Sequence, residues 1–422
     1  MPEYSVEGWP ADAETLSVRL AQTKLPDTVR QALESNRRPA LMLTTLAVDE
    51  DEIPVGASKI GGRPDLPPGF VWPLRPPYPD AEEVAERALE AGAYTMASAG
   101  VAPPWLTPAK GRKLIEKATR DRARMAKDFA RMREESRREV ARLKPDDVFT
   151  EEDIERYRAQ VEGETFDLPP LPTLDEAERA GLHARHVAEA TRSAFPLAFI
   201  AQLDLGTLSK QEGFDDALPG SGRLYVFYDL AGFPSPSDPA SKPGHLVVHD
   251  DTPSGQLVRT DLPPALAEFV AFAPEAVLRP AIIEARAAVT IPPLETLPNL
   301  DIRLRGRQSA AYDEWLLGEV GWPGAPDRDR HQLGGWPRAV QMNMQAKAQS
   351  AANGIDAATM GSWTSKKAKA ILAEAGAWHL LFQLGPDETI GNETDGSFNV
   401  LLRDEDLAAR RFERAWVVYE QS

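Results

Sequence analysis

The feature that most constrains this chain is an internal duplication. KIGGRP at 59–64 recurs as QLGGWP at 332–337, and FIAQLD at 199–204 recurs as LLFQLG ending at Gly385. GRLYVFYD at 222–229 recurs loosely as GSFNVLLRD at 396–404. Order and character match in both halves, so each unit reads as a Gly-Gly-x-Pro loop, an apolar strand with a central Gln, and a Gly-led strand rich in aromatic or β-branched residues.

The spacings locate what was added. Gly62 to Gln202 is 140 residues and Gly335 to Gln383 is 48, so the first unit carries 92 more. The excess falls within 78–195, a stretch rich in Ala, Glu, Arg, Lys and Leu that predicts helices over 80–92, 109–144, 150–163 and 174–195. Thr150 followed by Asp153 resembles a capping signature, and Pro145 and Gly163 supply breaks. In the long segment Ile115, Ala118, Met125, Phe129, Met132 and Leu143 step by threes and fours, a stripe too interrupted for a strong coiled coil. The expected organisation is a first β-rich repeat from 1–77 and 196–290, a helical hairpin or small bundle over 78–195, and a second β-rich repeat from 291–422.

Outside the insertion, PALMLTTLAV, PLAFIAQLDL, RLYVFYDL, HLVVHD, WHLLFQL, FNVLLRD and AWVVYE have strand length and composition, with Pro, Gly and Asp turns between them. Short helices are predicted at 27–35, 265–271, 308–319, 364–375 and 404–411. Strands not separated by regular helices favour an α+β fold, a duplicated and mostly antiparallel β-sheet body with a long helical insertion in the first repeat.

Charge sharpens this division. The formal net charge is -17, yet residues 110–144 hold 14 basic residues against 6 acidic ones, leaving -25 for the rest. Such an acidic remainder argues against a surface that binds nucleic acid or anionic membrane throughout. With no cysteine in the chain, disulfides, thiolate metal sites and a cysteine nucleophile are excluded. The N-terminal stretch carries acids and a Pro where a secretory signal needs basic and then apolar residues, and no segment has spanning length. A cytoplasmic protein is expected, with no membrane association.

KIGGRPDLPPGFVWP, PLAFIAQLDL, HQLGGWPRAVQ, WHLLFQLG and the strand after EDLAARRFERAW, taken in order, resemble the YwqG-like family, a domain of unknown function. The resemblance spans most of 39–74 and 196–422. It implies a duplicated α+β fold, found mainly in bacteria, with no catalytic residues to transfer, and an association with toxin systems in which members are suspected immunity proteins. The helical insertion, and Gly385 with Pro386 where the first repeat has Asp204, depart from the pattern.

Two readings are open for the repeated motifs. Gly61 and Gly62, with Gly334 and Gly335, can expose backbone N–H groups to an anion, with Lys59 and His331 beside them, or they can form tight turns before strands. Gln202 and Gln383 can line a groove between the halves. Alternatively each amide ties its strand to the neighbouring Gly-Gly loop, since a buried amide left unsatisfied costs about 1–3 kcal/mol. His245 with His249, and His183 with His186 and Glu189, are pairs without the third ligand that a metal site needs. No metal, cofactor or catalytic residue is assigned.

The basic stretch lacks the aromatic interleaving of a base-stacking platform, so nucleic acid is disfavoured, and Arg120, Arg124, Arg131 and Arg138 are candidates for a protein contact. The leading expectation is a non-enzymatic, protein-binding role: an immunity or antitoxin-like protein that occludes a cognate toxin or effector, itself basic enough to be steered by the acidic body. The competing expectation is a small-ligand binder or hydrolase with a cleft between the repeats. Pure scaffolding is a third.

Overall fold

The structure, a computed structural model of the chain, describes residues 8–144, 150–163, 168–320, 331–339, 343–356, 362–392 and 396–421. Pro145, expected as a helix break, and the first seven residues lie outside these. The chain divides into two compact units, residues 1–79 with 193–422, and residues 80–192.

The first unit is built on a ten-stranded sheet. Its strands, in chain order, are β1 Arg38–Ala47, β2 Lys59–Ile60, β3 Ala198–Asp204, β4 Arg223–Tyr228, β5 His245–Asp250, β6 Ala281–Thr290, β7 His331–Gly334, β8 Trp378–Leu384, β9 Gly396–Arg403 and β10 Trp416–Gln421. They lie side by side as β10-β9-β8-β7-β1-β6-β2-β3-β4-β5, every neighbouring pair antiparallel.

This order is the duplication made visible. β1 and β6 pair along their whole length at the centre, Arg38 opposite Thr290 and Ala47 opposite Ala281. On its outer edge β1 pairs with the Gly-Gly strand of the second repeat, β7, while β6 pairs with that of the first, β2. Counted with the second repeat as the equivalent of β1, and not with the first as the bounds 196–290 have it, β6 makes the repeats exchange their long strands. PALMLTTLAV at 39–48 and PAIIEARAAV at 280–289 share their first two and last two residues, which marks β1 and β6 as equivalents. β6 is rich in Ala because the chain crosses it closely: a Cβ on Gly213 would lie 3.1 Å from Ala287.

The outer edges of the sheet are stitched together. Lys242 Nζ donates to Ala415 O at 2.7 Å, His245 Nε2 lies 3.2 Å from the same carbonyl, and the Trp416 indole N–H donates to Pro236 O. The concave face encloses Leu41, Leu43, Ile60, Leu203, Leu333 and Leu402, with Tyr228, Phe233, Phe398 and Tyr419 in edge-to-face or tilted contacts. At the centre the opposite face is covered by α1 Ala13–Ala21 and α2 Asp27–Ser35, whose Leu16, Leu20 and Leu33 pack with Ala40, Met42 and Ala288. Asp12 caps α1 by accepting from Thr15 N at 2.8 Å.

The second unit comprises α3 Ala81–Ser98, α4 Pro108–Val140, α5 Glu151–Gly163 and α6 Leu174–Arg192. α3 and α6 pack closely through small residues: Gly181 lies where a Cβ would meet the Met96 sulfur at 2.5 Å, and Gly92 faces Ala184. Thr107 with Pro108 opens α4, Thr150 with Asp153 forms a reciprocal capping box on α5, and Thr173 with Glu176 does the same on α6. Along α4, Ala118 is buried and Ile115 and Phe129 are half-buried, while Met125 and Met132 are 41% and 45% exposed. The stripe of threes and fours is thus only partly closed.

Candidate functional site

The two Gly-Gly turns lock the repeats together. All four glycines have positive φ, from 65° to 76°. Gly61 N donates to Ile200 O, and Gly62 N donates to Leu278 O just before β6. In the second repeat Gly335 lies against the start of β1, where a Cβ would sit 2.8 Å from that of Ala40 and 2.7 Å from Thr290 Oγ1. Only glycine fits this approach at this backbone conformation. Each turn thus wedges against the long strand of the other repeat.

Beside each turn runs a row of polar side chains across neighbouring strands. In the first repeat it is Lys59, Gln202 and Tyr225; in the second, Gln332, Gln383 and Asn399. Their bonds are equivalent. Gln202 Oε1 accepts from Asp65 N at 2.8 Å, and Gln383 Oε1 accepts from Arg338 N at 2.9 Å, each three residues beyond its second glycine. Lys59 Nζ donates to Arg63 O, and Gln332 Nε2 donates to Trp336 O at 2.8 Å. The two glutamines therefore tie their strands to the loops, as one of the two sequence readings holds.

The chemistry then diverges. Asp65, fully buried, accepts from Gly56 N at 2.9 Å and Gln202 Nε2 at 3.1 Å, and pairs with Lys59 at 3.3 Å and Arg259 at 2.9 Å. Tyr225 completes the cluster by donating to Asp65 O at 2.7 Å. Burial pulls the Lys59 ammonium below its ordinary value and pushes the Asp65 carboxyl upward, but the bonds from Arg259 and Gly56 and the charge of Lys59 hold that carboxyl below its usual range. The second repeat has Arg338 in place of Asp65 and Gln332 in place of Lys59. There Gln332 Oε1 and Asn399 Oδ1 are buried without a hydrogen-bond partner among the described residues.

His331 Nε2 lies 3.0 Å from Asp387 Oδ2, which also accepts from Thr45, while its Nδ1 accepts from Gly385 N at 3.1 Å. Ser58 occupies the equivalent place in the first repeat, its Oγ accepting from Asp204 N at 2.8 Å. The Asp387 loop covers this position in the second repeat. In the first there is a cavity of about 480 Å³, lined by Ser58, Asp204, Thr207, Gln211 and Glu284. Thr207 donates to Asp204 at 2.6 Å. Lys59, Gly61, Gln202, His331, Gly334, Gly335 and Gln383 are all buried and Gly62 is half-buried; the structure gathers them into two internal clusters.

One buried pair joins the repeats and titrates. His379 on β8 lies 2.7 Å from Asp215 and 3.5 Å from Asp404. Burial opposes the imidazolium, but the bonds to Asp215 and Asp404 outweigh it and raise the pKa above 6.5; burial likewise opposes the Asp215 carboxylate, which the His379 bond holds down. The raised base stabilises the fold below its unfolded pKa and loses that contribution as pH rises through its folded value. The lowered acid contributes above the ordinary carboxylate range and loses its share as pH falls through its folded value. The difference in melting temperature between wild type and His379→Gln is therefore expected to be largest near pH 6 and to shrink in alkali; a difference that is constant from acid to alkali contradicts the pairing.

In the helical unit, Arg120, Arg124, Arg131 and Arg138 are exposed on one face of α4. Lys113, Lys117 and Lys127 continue their spacing of threes and fours, so seven cations span 26 residues, about 37 Å of helix from first to last. Glu134 fills the one gap and accepts from Arg138 at 3.0 Å, and Arg124 and Arg131 pair with Asp121 and Asp128 one turn back. Lys113, Lys117, Arg120 and Lys127 have no acidic partner within 4.0 Å among the described residues.

Motif reading misses Arg259 and the buried pair Arg75–Asp229 at 2.7 Å, which Tyr78 completes. No local pattern marks them, because each partner lies far away in the chain. Among the described residues no group of three His, Asp or Glu side chains is placed to hold a metal, and no helix is long and apolar enough to cross a membrane.

The fold and these clusters define a duplicated, mostly antiparallel α+β protein whose repeats exchange a central strand and whose first repeat carries a helical unit. The chain belongs to the family described as "Domain of unknown function (DUF1963)", which it matches over residues 58–420. No curated protein matches it.

Proposed function

We propose that this chain is a YwqG-like member of its family and a non-enzymatic binding protein, immunity or antitoxin-like, that occludes a toxin or effector by contact through its helical unit. The observation that carries this reading is the exposed stripe of seven cations on α4, in contrast to Lys59, Asp65, Gln202 and Gln383 of the repeated motifs, whose side chains are bonded internally. A stripe of this kind recognises an acidic patch on a partner, and the acidic remainder of the chain steers a partner that also has a basic face. The cavity beside Ser58 supports a second reading, small-ligand binding. It is the weaker one, because the Ser58 oxygen is occupied by Asp204 N–H and no base stands against its hydroxyl among the described residues.

Affinity co-purification from the native source, followed by reconstitution of the captured partner, tests this. The R120E/R124E/R131E/R138E chain is expected to melt close to the wild type, since all four side chains are exposed and each reversed pair with Asp121, Asp128 or Glu134 costs only about 0.2–0.5 kcal/mol, and to bind the partner at least about tenfold more weakly. Recovery of no protein partner, or undiminished binding by this variant, overturns the reading.

A further inference from the structure

We propose that the groove between α3 and the first turns of α4 binds an acidic amphipathic helix of a protein partner. This rests on the reading of the helical unit as the partner-binding part of the chain, and it specifies the chemistry of what is bound.

The groove has a volume of about 950 Å³ and is open along one side. Its floor is apolar: Leu89 and Tyr94 from α3, Trp105 from the connecting loop and Leu114 from α4, all half-buried and so presenting surface to an occupant. The Tyr94 hydroxyl donates to Asp121 at 3.3 Å, which holds the ring in place along the α4 side. The Trp105 indole N–H has no partner among the described residues, leaving a donor for a bound backbone or carboxylate.

One wall is cationic. Lys110, Lys113 and Lys117 occupy i, i+3 and i+7 of α4, one side of a helix over two turns, all exposed. They flank Leu114, so an occupant that lays apolar side chains on the floor meets the ammonium groups at its edge. This is the helix-in-groove mode, with apolar anchors for affinity and flanking charge for orientation. The opposite wall carries Glu86 and Glu90, while Arg87 is paired with Glu83 at 2.8 Å. Acid on one wall and lysine on the other fix the occupant's direction: its carboxylates face α4. The same two glutamates, and Asp121, Asp128 and Glu134 further along the stripe, disfavour a phosphate backbone, which would pass each in turn. The two aromatic rings sit among leucines in the floor rather than in a row of stacking faces.

The test uses the full chain and a fluorescein-labelled peptide about five turns long, with Leu at steps of three and four and Glu along one flank. Controls are a scrambled peptide of the same composition, a single-stranded oligonucleotide and phosphatidylserine vesicles. The amphipathic peptide is expected to bind and the scrambled one not. K110E/K113E/K117E is expected to weaken binding at least about tenfold, while R156E/R179E, which reverses exposed charges on α5 and α6, leaves it within about twofold. Absence of peptide binding, equal binding of the scrambled peptide, or indifference to the lysine reversals overturns the proposal. So does tighter, lysine-dependent binding of the oligonucleotide or the vesicles. If the peptide fails while the arginine variant still loses the captured partner, the groove inference falls and the binding role stands; if the peptide binds while the arginine variant keeps the partner undiminished, the stripe-based reading above falls and the groove's binding of the peptide stands.

Discussion

The Asp65→Ala chain is expected to lose about 3–5 kcal/mol of folding stability, the cost typical of removing one partner from a buried ion pair. Asp65 has no exposed surface and holds two cations, Lys59 and Arg259, together with the Gly56 and Gln202 N–H groups. Lys59 retains Arg63 O, and Arg259 retains Glu50 O and Ile53 O, so neither cation loses every partner, but both lose their counter-charge. The Lys59→Met/Asp65→Ala double variant is expected to lose less than the sum of its two single changes, because one uncompensated charge has been removed. Urea denaturation of the three variants measures this. Additive losses would show that Lys59 and Asp65 are energetically independent despite their 3.3 Å separation.

Gln202→Leu and Gln383→Leu are expected to separate by about 1–2 kcal/mol, although they occupy matching places. Gln202 receives Asp65 N–H and gives to Ala57 O and Asp65 Oδ2; Leu takes the amide partner from Asp65 N–H and Ala57 O, while Asp65 Oδ2 keeps Gly56 N–H and Lys59, a loss of about 2–4 kcal/mol. Among the described residues Gln383 makes one corresponding bond, to Arg338 N–H, so its replacement is expected to cost about 1–2 kcal/mol. Melting curves check both. Equal losses would mean that the amides matter for packing and not for their hydrogen bonds; an unchanged melting temperature in both would remove their role as ties between strand and loop.

The repeat was legible because its motifs do the same physical work twice: Gly-Gly where two strands meet too closely for a Cβ, and Gln where a loop backbone needs a partner. Strand-length apolar runs likewise marked seven of the ten sheet strands. β6 escaped this reading, since AIIEARAAV has the composition of a helix; pairing along both edges and the close passage of Gly213 make it a strand. β2 and β7, of two and four residues, were visible only as the flanks of glycines. The pairing of each repeat's Gly-Gly strand with the other's long strand is a long-range choice that no local pattern records.

For the candidate site the limit was geometric. Residue type placed Lys59 and His331 beside the glycines but could not say which way they faced. Both turn inward, Lys59 to Asp65 and His331 to Asp387. The charge of 110–144 was readable as a sum, whereas its resolution into one exposed stripe followed from the helix continuing unbroken from Pro108 to Val140.

The central claim is that the polar clusters of the sheet hold the repeats together as a scaffold and the helical unit makes the contact. Hydrogen–deuterium exchange on the full chain, with and without its captured partner, tests it most directly. Protection on binding is predicted within residues 81–140, on α3 and α4, with 59–66 and 331–338 unchanged. Protection confined to 59–66 and 331–338 instead would contradict it and assign the function to the junction of the repeats.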